Sequence, residues 1–212
     1  MSTTTPDEPF VGVVVLAGGT SSRLGGGDKT ALNVGGMPIL ARLLAGLPPV
    51  PTVVVARPPT DPLPGELAHV RWTREDPPGG GPAAGLAAGV AALPAAVDLV
   101  VVLAGDQPFA AGAVPRLLET LRCDPGVDAV LAIDADGRAQ PLLAAYRAAG
   151  LARVLPQVRS GDSLRSALAA ISRSYLQITS EECLDVDNSG DLALAREIVR
   201  GRAIGPTATH SS

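Results

Sequence analysis

Four runs of apolar residues without polar alternation punctuate the chain: VGVVVL at 11–16, TVVVA at 52–56, LVVVL at 99–103 and AVLAI at 129–133. Strict alternation marks a strand with one wet face, whereas unbroken runs of this kind mark strands covered on both faces, the habit of a mostly parallel sheet. Between them lie helical patterns, ILARLLAGL at 39–47, GLAAGVAAL at 85–93 and AVPRLLETL at 113–121. Alternation of the two predicts right-handed crossovers and an α/β fold, a three-layer α/β/α sandwich around a mostly parallel, mixed sheet. Ligands of such folds bind beyond the carboxyl ends of the strands.

The pattern changes after Ile133. DADG at 134–137 reads as a turn and QPLLAAY at 140–146 as an antiparallel excursion. Asp162 is the expected N-cap of a helix over SLRSALAAI, and Asp191 opens a last helix over LALAREIV. One domain is expected over residues 10–200, with residues 1–9 and 201–212 disordered. The apolar stretch 86–105 has about the 20 residues a bilayer span needs. Pro94 and Asp98 divide it, however, into a helix ending near Leu93 and a buried strand.

Composition narrows the function. Hydrophobic residues make up 46% of the chain and aromatic residues only 2%, so the core must be built from Ala, Val and Leu. A net charge of -4 offers no broad basic surface, which argues against nucleic acid as a partner and requires any anionic ligand to be met by a local pocket. Cys123, Cys183, His69 and His210 complete no metal spacing. The start, MSTTTPDEPF, lacks the basic and apolar regions of a secretory signal, so a cytoplasmic protein without a membrane partner is expected.

The strongest chemical signal follows the first strand. Residues 18–29, GGTSSRLGGGDK, hold five glycines, three hydroxyl side chains, Arg23 and Lys29. Glycines let backbone N–H groups approach phosphate oxygens, hydroxyls donate further bonds and the cations neutralise charge. A glycine-rich surface loop is the plainer alternative. Against it, Lys29 is the lone lysine among 17 cationic residues, and an ammonium is a compact point charge that sits between several oxygens where a guanidinium does not. A Walker loop is excluded because Asp28, not glycine, precedes Lys29, and no G-x-G-x-x-G is present.

Two carboxylate segments lie downstream. Asp106, in LAGDQPF, follows a buried strand at the position from which α/β proteins reach ligands and could begin a Mg²⁺ site, or could simply open a turn. Asp185 and Asp187 flank Val186 and would share one side of an extended segment, or belong to a helix start. Asp76, in REDPPGGGP, is either a ligand contact or a solvated loop residue.

The loop at Leu16, Ala17, Gly18 and Gly19 through Arg23 and Asp28-Lys29 resembles the LAGGxSxRMGxxDK signature of the molybdenum cofactor guanylyltransferase family, with Leu24 in place of Met. Gly105-Asp106-Gln107-Pro108 is similar to its CDxP motif, Gly81-Pro82-Ala83-Ala84-Gly85 to GPLAG, and Gln140-Pro141-Leu142 to QPL. Its late NxNTPEDL motif is matched least well, with Asp185 and Asp187 where both asparagines stand. The resemblance, covering roughly residues 11–200, implies a Rossmann-like nucleotidyltransferase fold and transfer of GMP from GTP to the terminal phosphate of the molybdenum cofactor (Mo-molybdopterin). It further implies Mg²⁺ on Asp106 and Asp187, catalysis by Arg23, Lys29, Asp106 and Asp187, and nucleotide contacts from Leu16, Ala17, Gly18, Gly19, Lys29, Asp76, Gly81 and Asp106. Other cofactor-biosynthesis or molybdoenzyme-maturation proteins are the partners such an enzyme implies. The alternatives are the cytidylyl counterpart, a sugar-phosphate nucleotidyltransferase and a non-catalytic nucleotide-binding module.

Overall fold

The computed structural model describes residues 9–18, 29–59, 67 and 70–203. Strands β1 (Val11–Leu16), β4 (Thr52–Val55), β5 (Arg71–Thr73), β6 (Leu99–Ala104), β7 (Ala129–Ile133), β8 (Ala139–Arg147) and β9 (Arg173–Gln177) form one seven-stranded sheet in the order β5-β4-β1-β6-β8-β7-β9. Only β8 among them runs antiparallel to its neighbours, as the turn at 134–137 leads one to expect. Two short strands, β2 (Asn33–Val34) and β3 (Met37–Pro38), make a separate hairpin.

The unbroken apolar runs become strands covered on both faces. In β1, Val13 and Val15 face one core layer with helices α1 (Ile39–Ala45) and α3 (Val114–Cys123). Val14 faces the other, with α2 (Gly81–Ala91), α4 (Ala148–Val154) and α5 (Leu164–Ala167). β6 divides in the same way, with Val101 and Leu103 on the first side and Val100 and Val102 on the second. The result is three layers, with the pleat deciding which layer each valine enters. Residues 86–105 split into the end of α2, a turn and β6, and no helix among the described residues is long and apolar enough to cross a membrane.

Where the structure departs from the sequence pattern, local hydrogen bonds explain the difference. The helix expected over 163–171 is only α5, and its cap is Ser163, whose Oγ accepts from Ser166 N at 3.1 Å. Asp162 closes the preceding turn instead, accepting from Arg159 N. The last helix, α6 (Ser189–Ala203), starts before Asp191 and runs past residue 200. Asn188 Oδ1 receives the N–H groups of Gly190 and Asp191, while Asp191 Oδ2 receives those of Asp187 and Asn188, a reciprocal cap that sets the start of the helix. Residues 1–8 and 204–212 lie outside the described residues. Strands β5 and β9 escaped the pattern because both are edge strands with mixed polarity, RWT and RSYLQ.

Helix α2 sits unusually close to the sheet. A Cβ at Gly89 would lie 2.4 Å from Val14 Cγ1 and 2.8 Å from Val55 Cγ2, whereas one at Gly85 would meet only ordinary contacts at 3.6 and 3.7 Å. Two substitutions in one helix should therefore have opposite signs. Gly85→Ala is expected to be neutral or to stabilise by up to about 1 kcal/mol through helix propensity. Gly89→Ala is expected to destabilise by about 1–3 kcal/mol, because overpacking exceeds that gain. Urea denaturation of both variants checks this, and equal midpoints would show that α2 can shift off the sheet without cost.

Candidate active site

At the carboxyl ends of β1, β4 and β6 the sheet opens into a cavity of about 420 Å³. Leu16, Ala17 and Gly18 line it as β1 ends, with Val55 of β4 and Ala104 of β6 on either side. The first turn of α2 covers it through Gly81, Pro82 and Gly85. No side chain of the described residues caps α2, so its first turn offers orphan N–H groups as donors with the positive end of the helix dipole behind them. Gly79 and Gly81 take φ of +85° and +87°, left-handed values that bring the backbone round into the cavity wall. Gly79 N donates to Glu75 Oε1 at 2.9 Å and so fixes Glu75, a cavity-lining carboxylate.

Close approach of two strand ends builds the opposite wall. Gly105 N donates to Leu16 O at 2.9 Å, and a Cβ at Gly105 would stand 2.7 Å from that of Ala17. Only glycine lets β6 continue pairing with β1 before it turns to place Asp106 at the cavity. The backbone carbonyl of Asp106 accepts from Val186 N at 3.1 Å. Val186 is fully buried with Val34, Ile39, Phe109 and Ala195, so the segment carrying Asp185 and Asp187 is anchored from both sides of the peptide. Arg202 secures the far end of α6, pairing with Glu181 and stacking 4.8 Å from the centre of the Phe109 ring.

Lys29, in a short 3₁₀ turn over Lys29–Ala31, completes the cluster. Its ammonium pairs with Asp106 Oδ2 and donates to Asp187 Oδ1 at 2.7 Å. Burial opposes the charge on Lys29, but the hydrogen bonds to Asp106 and Asp187 and the charges of both carboxylates outweigh it and raise the pKa. Asp185 stands behind the pair. Burial first, then the charge of Asp106, lifts its carboxyl from 3.8 to about 6, against a restraining hydrogen bond from Gln107. Among the described residues, Asp106 Oδ1 and the oxygen of the fully buried Gln107 side chain have no hydrogen-bond partner.

Three carboxylates thus face one ammonium among the described residues, a charge imbalance that hard cations relieve. No group of three or more Asp, Glu, His or Cys side chains is spaced to enclose a metal by protein ligands alone among the described residues. A pair of carboxylates completed by water and phosphate oxygens remains the fitting arrangement, and Mg²⁺ favours it.

Of the residues singled out in the sequence, Leu16, Ala17, Gly18, Lys29, Gly81 and Asp106 line one cavity, and Asp187 reaches it through Lys29. Asp76 is exposed and does not line it; its neighbour Glu75 does. Gly19 and Arg23 lie outside the described residues. Glu75 and the closeness of Asp185 to Asp106 were not legible: two adjacent carboxylates before a glycine run look alike until the path of the chain shows which one turns inward.

The model of the MobA-like NTP transferase domain matches residues 13–176. No curated protein matches the chain. The fold is similar to that of molybdopterin-guanine dinucleotide biosynthesis protein A from Archaeoglobus fulgidus, with a TM-score of 0.65 at 23% identity over 90% of this chain and 99% of that one. It is similar to 4-diphosphocytidyl-2C-methyl-D-erythritol synthase from Anaerococcus prevotii, with a TM-score of 0.65 at 14% identity over 91% and 96%. A CMP:2-keto-3-deoxy-manno-octonic acid synthetase complexed with CTP gives 0.66 at 17% identity over 91% and 99%. With the sheet order, the cavity and the family match in agreement, the chain belongs to the MobA-like NTP transferase domain family.

Proposed function

We propose that this nucleotidyltransferase passes GMP from GTP to the terminal phosphate of the molybdenum cofactor, releasing pyrophosphate. The observation that carries the reading is a single cavity with a carboxylate acceptor, Glu75, at its β5 flank and the Lys29–Asp106–Asp187 cluster at its β6 flank. From β5 to β6 is three strand spacings, roughly 14 Å, a span suited to a nucleotide lying base-first across the sheet. Glu75 supports guanine. The base presents two neighbouring donors, N1–H and N2–H₂, to one carboxylate, whereas cytosine presents only one amino group.

The terminal phosphate of the acceptor attacks the α-phosphorus, the bond to the bridging oxygen breaks, and that oxygen departs with pyrophosphate. No general base is needed, since the acceptor is ionised at neutral pH. Lys29, held charged by its neighbours, and Arg23 from the glycine-rich loop stabilise the charge gathering on the leaving group. The uncapped N-terminus of α2 donates to nucleotide oxygens and orients them. Asp106 and Asp187 would hold Mg²⁺, with Asp185 behind them; when bound, the ion supplies Lewis-acid stabilisation of phosphate charge. Molybdenum cofactor as acceptor is supported by the LAGG and DK motif and by the name of the Archaeoglobus relative. Cytidylyl transfer is the second reading, supported by the names of two proteins of similar fold, a 4-diphosphocytidyl-2C-methyl-D-erythritol synthase and a CMP:2-keto-3-deoxy-manno-octonic acid synthetase complexed with CTP.

In pyrophosphate-release assays, Lys29→Ala and Asp106→Ala should each lower kcat/KM by about 10²–10³-fold, with Lys29→Arg recovering only part. Unchanged turnover in Lys29→Ala would sink the phosphate role. Glu75→Gln should narrow the preference for GTP over CTP by about tenfold or more, since one unpaired donor edge costs on this scale. Thermal shifts with GTP, CTP, ATP and UTP, each with Mg²⁺ or with chelator, test the base: stabilisation by CTP alone would replace GTP transfer with cytidylyl transfer.

A further inference from the structure

Lys29 is claimed by two partners that exclude each other. A nucleotide bound as proposed above needs its ammonium beside phosphate oxygens, yet the structure places the ammonium between Asp106 and Asp187. The oxygens it occupies are the ones a divalent cation would use. Asp106 Oδ1 is buried without solvent contact, so Oδ2 is the oxygen open to an incoming ion, and Lys29 covers it. Asp187 Oδ1 is covered by the same ammonium at 2.7 Å.

We propose that Lys29 is an internal counter-ion that closes the Asp106–Asp187 pair to free divalent cations until nucleotide phosphates draw the ammonium away. The cation then enters with or after the nucleotide, and does not load first. This rests on the nucleotidyl-transfer reading. The physical basis is competition for the same lone pairs. A tethered ammonium stays at high local concentration, and a carboxylate pair that is free of it in only a small fraction of molecules binds an external ion more weakly by that fraction. Triphosphate reverses the balance by offering the ammonium several anionic oxygens and by bringing ligands that a divalent cation needs. The open side of the pair is that of Asp187, whose side chain is 54% exposed while those of Lys29 and Asp106 are 14% and 16% exposed.

Because the chain has a lone lysine, ¹⁵N-lysine labelling of the full-length protein gives a single ammonium resonance. Millimolar Mg²⁺ alone should leave it in place, and GTP in the presence of chelator should move it. Displacement by Mg²⁺ alone would overturn the inference and leave the transfer reading standing. A resonance moved by neither would overturn both. Mn²⁺ binding to the nucleotide-free protein, followed by electron paramagnetic resonance, tests the same point by substitution. Lys29→Met should bind Mn²⁺ about tenfold or more tightly than the natural protein, while Lys29→Arg, which keeps the charge, should not. If Lys29→Met gains nothing although Asp106→Asn weakens binding, the carboxylates hold the ion and the lysine does not guard them. If Asp106→Asn also changes nothing, the carboxylates are not a cation site and the transfer mechanism loses its metal.

Discussion

The contact of Lys29 with Asp106 and Asp187 is what the functional end of the molecule is organised around. It joins residues up to 158 positions apart and brings three segments, none of which could form a site alone, to one point. Each segment has a separate mechanical reason to be there. Asp106 is delivered by a strand that needs glycine at position 105 to stay paired with β1. Asp187 is delivered by a buried valine, a backbone bond to Asp106 and the reciprocal cap of α6. Lys29 follows the glycine-rich loop in a tight turn.

An ion cluster of this kind adds little to stability. Charges brought together out of water lose much of what they gain by pairing, and among the described residues here the carboxylates outnumber the cation. The raised pKa of Asp185 is the local sign of that imbalance, and so is the oxygen of Asp106 that finds no partner among the described residues. Stability comes instead from the valine-rich strands and the helices on either face, which hold the cluster in a state that ligands can relieve. Binding and folding thus draw on different parts of the molecule.

Much of this was legible before any coordinates. The four apolar runs are strands, the expected helices are present with ends shifted by one to four residues, and the turn at 134–137 does reverse the chain. Gly18 and Lys29, at the two ends of the glycine-rich segment, and the carboxylate after β6 meet as the topology of parallel sheets requires. What escaped was of two kinds. Edge strands β5 and β9 carry polar residues and so lack the apolar signal, and helix ends near 163 and 189 depend on which of several neighbouring cap formers points at the backbone.

The sequence by itself determined the alternation of strand and helix, the family signature and the residue types available for phosphate chemistry. These are local properties, set by side-chain period, glycine spacing and the single lysine. The tertiary structure alone decided that Glu75 rather than Asp76 turns into the cavity and that Asp185 stands close enough to Asp106 for their charges to interact. It alone decided that Lys29 lies between two carboxylates. Those outcomes depend on the path of the backbone through a left-handed glycine turn and on packing between segments far apart in the chain, and no window of sequence contains either.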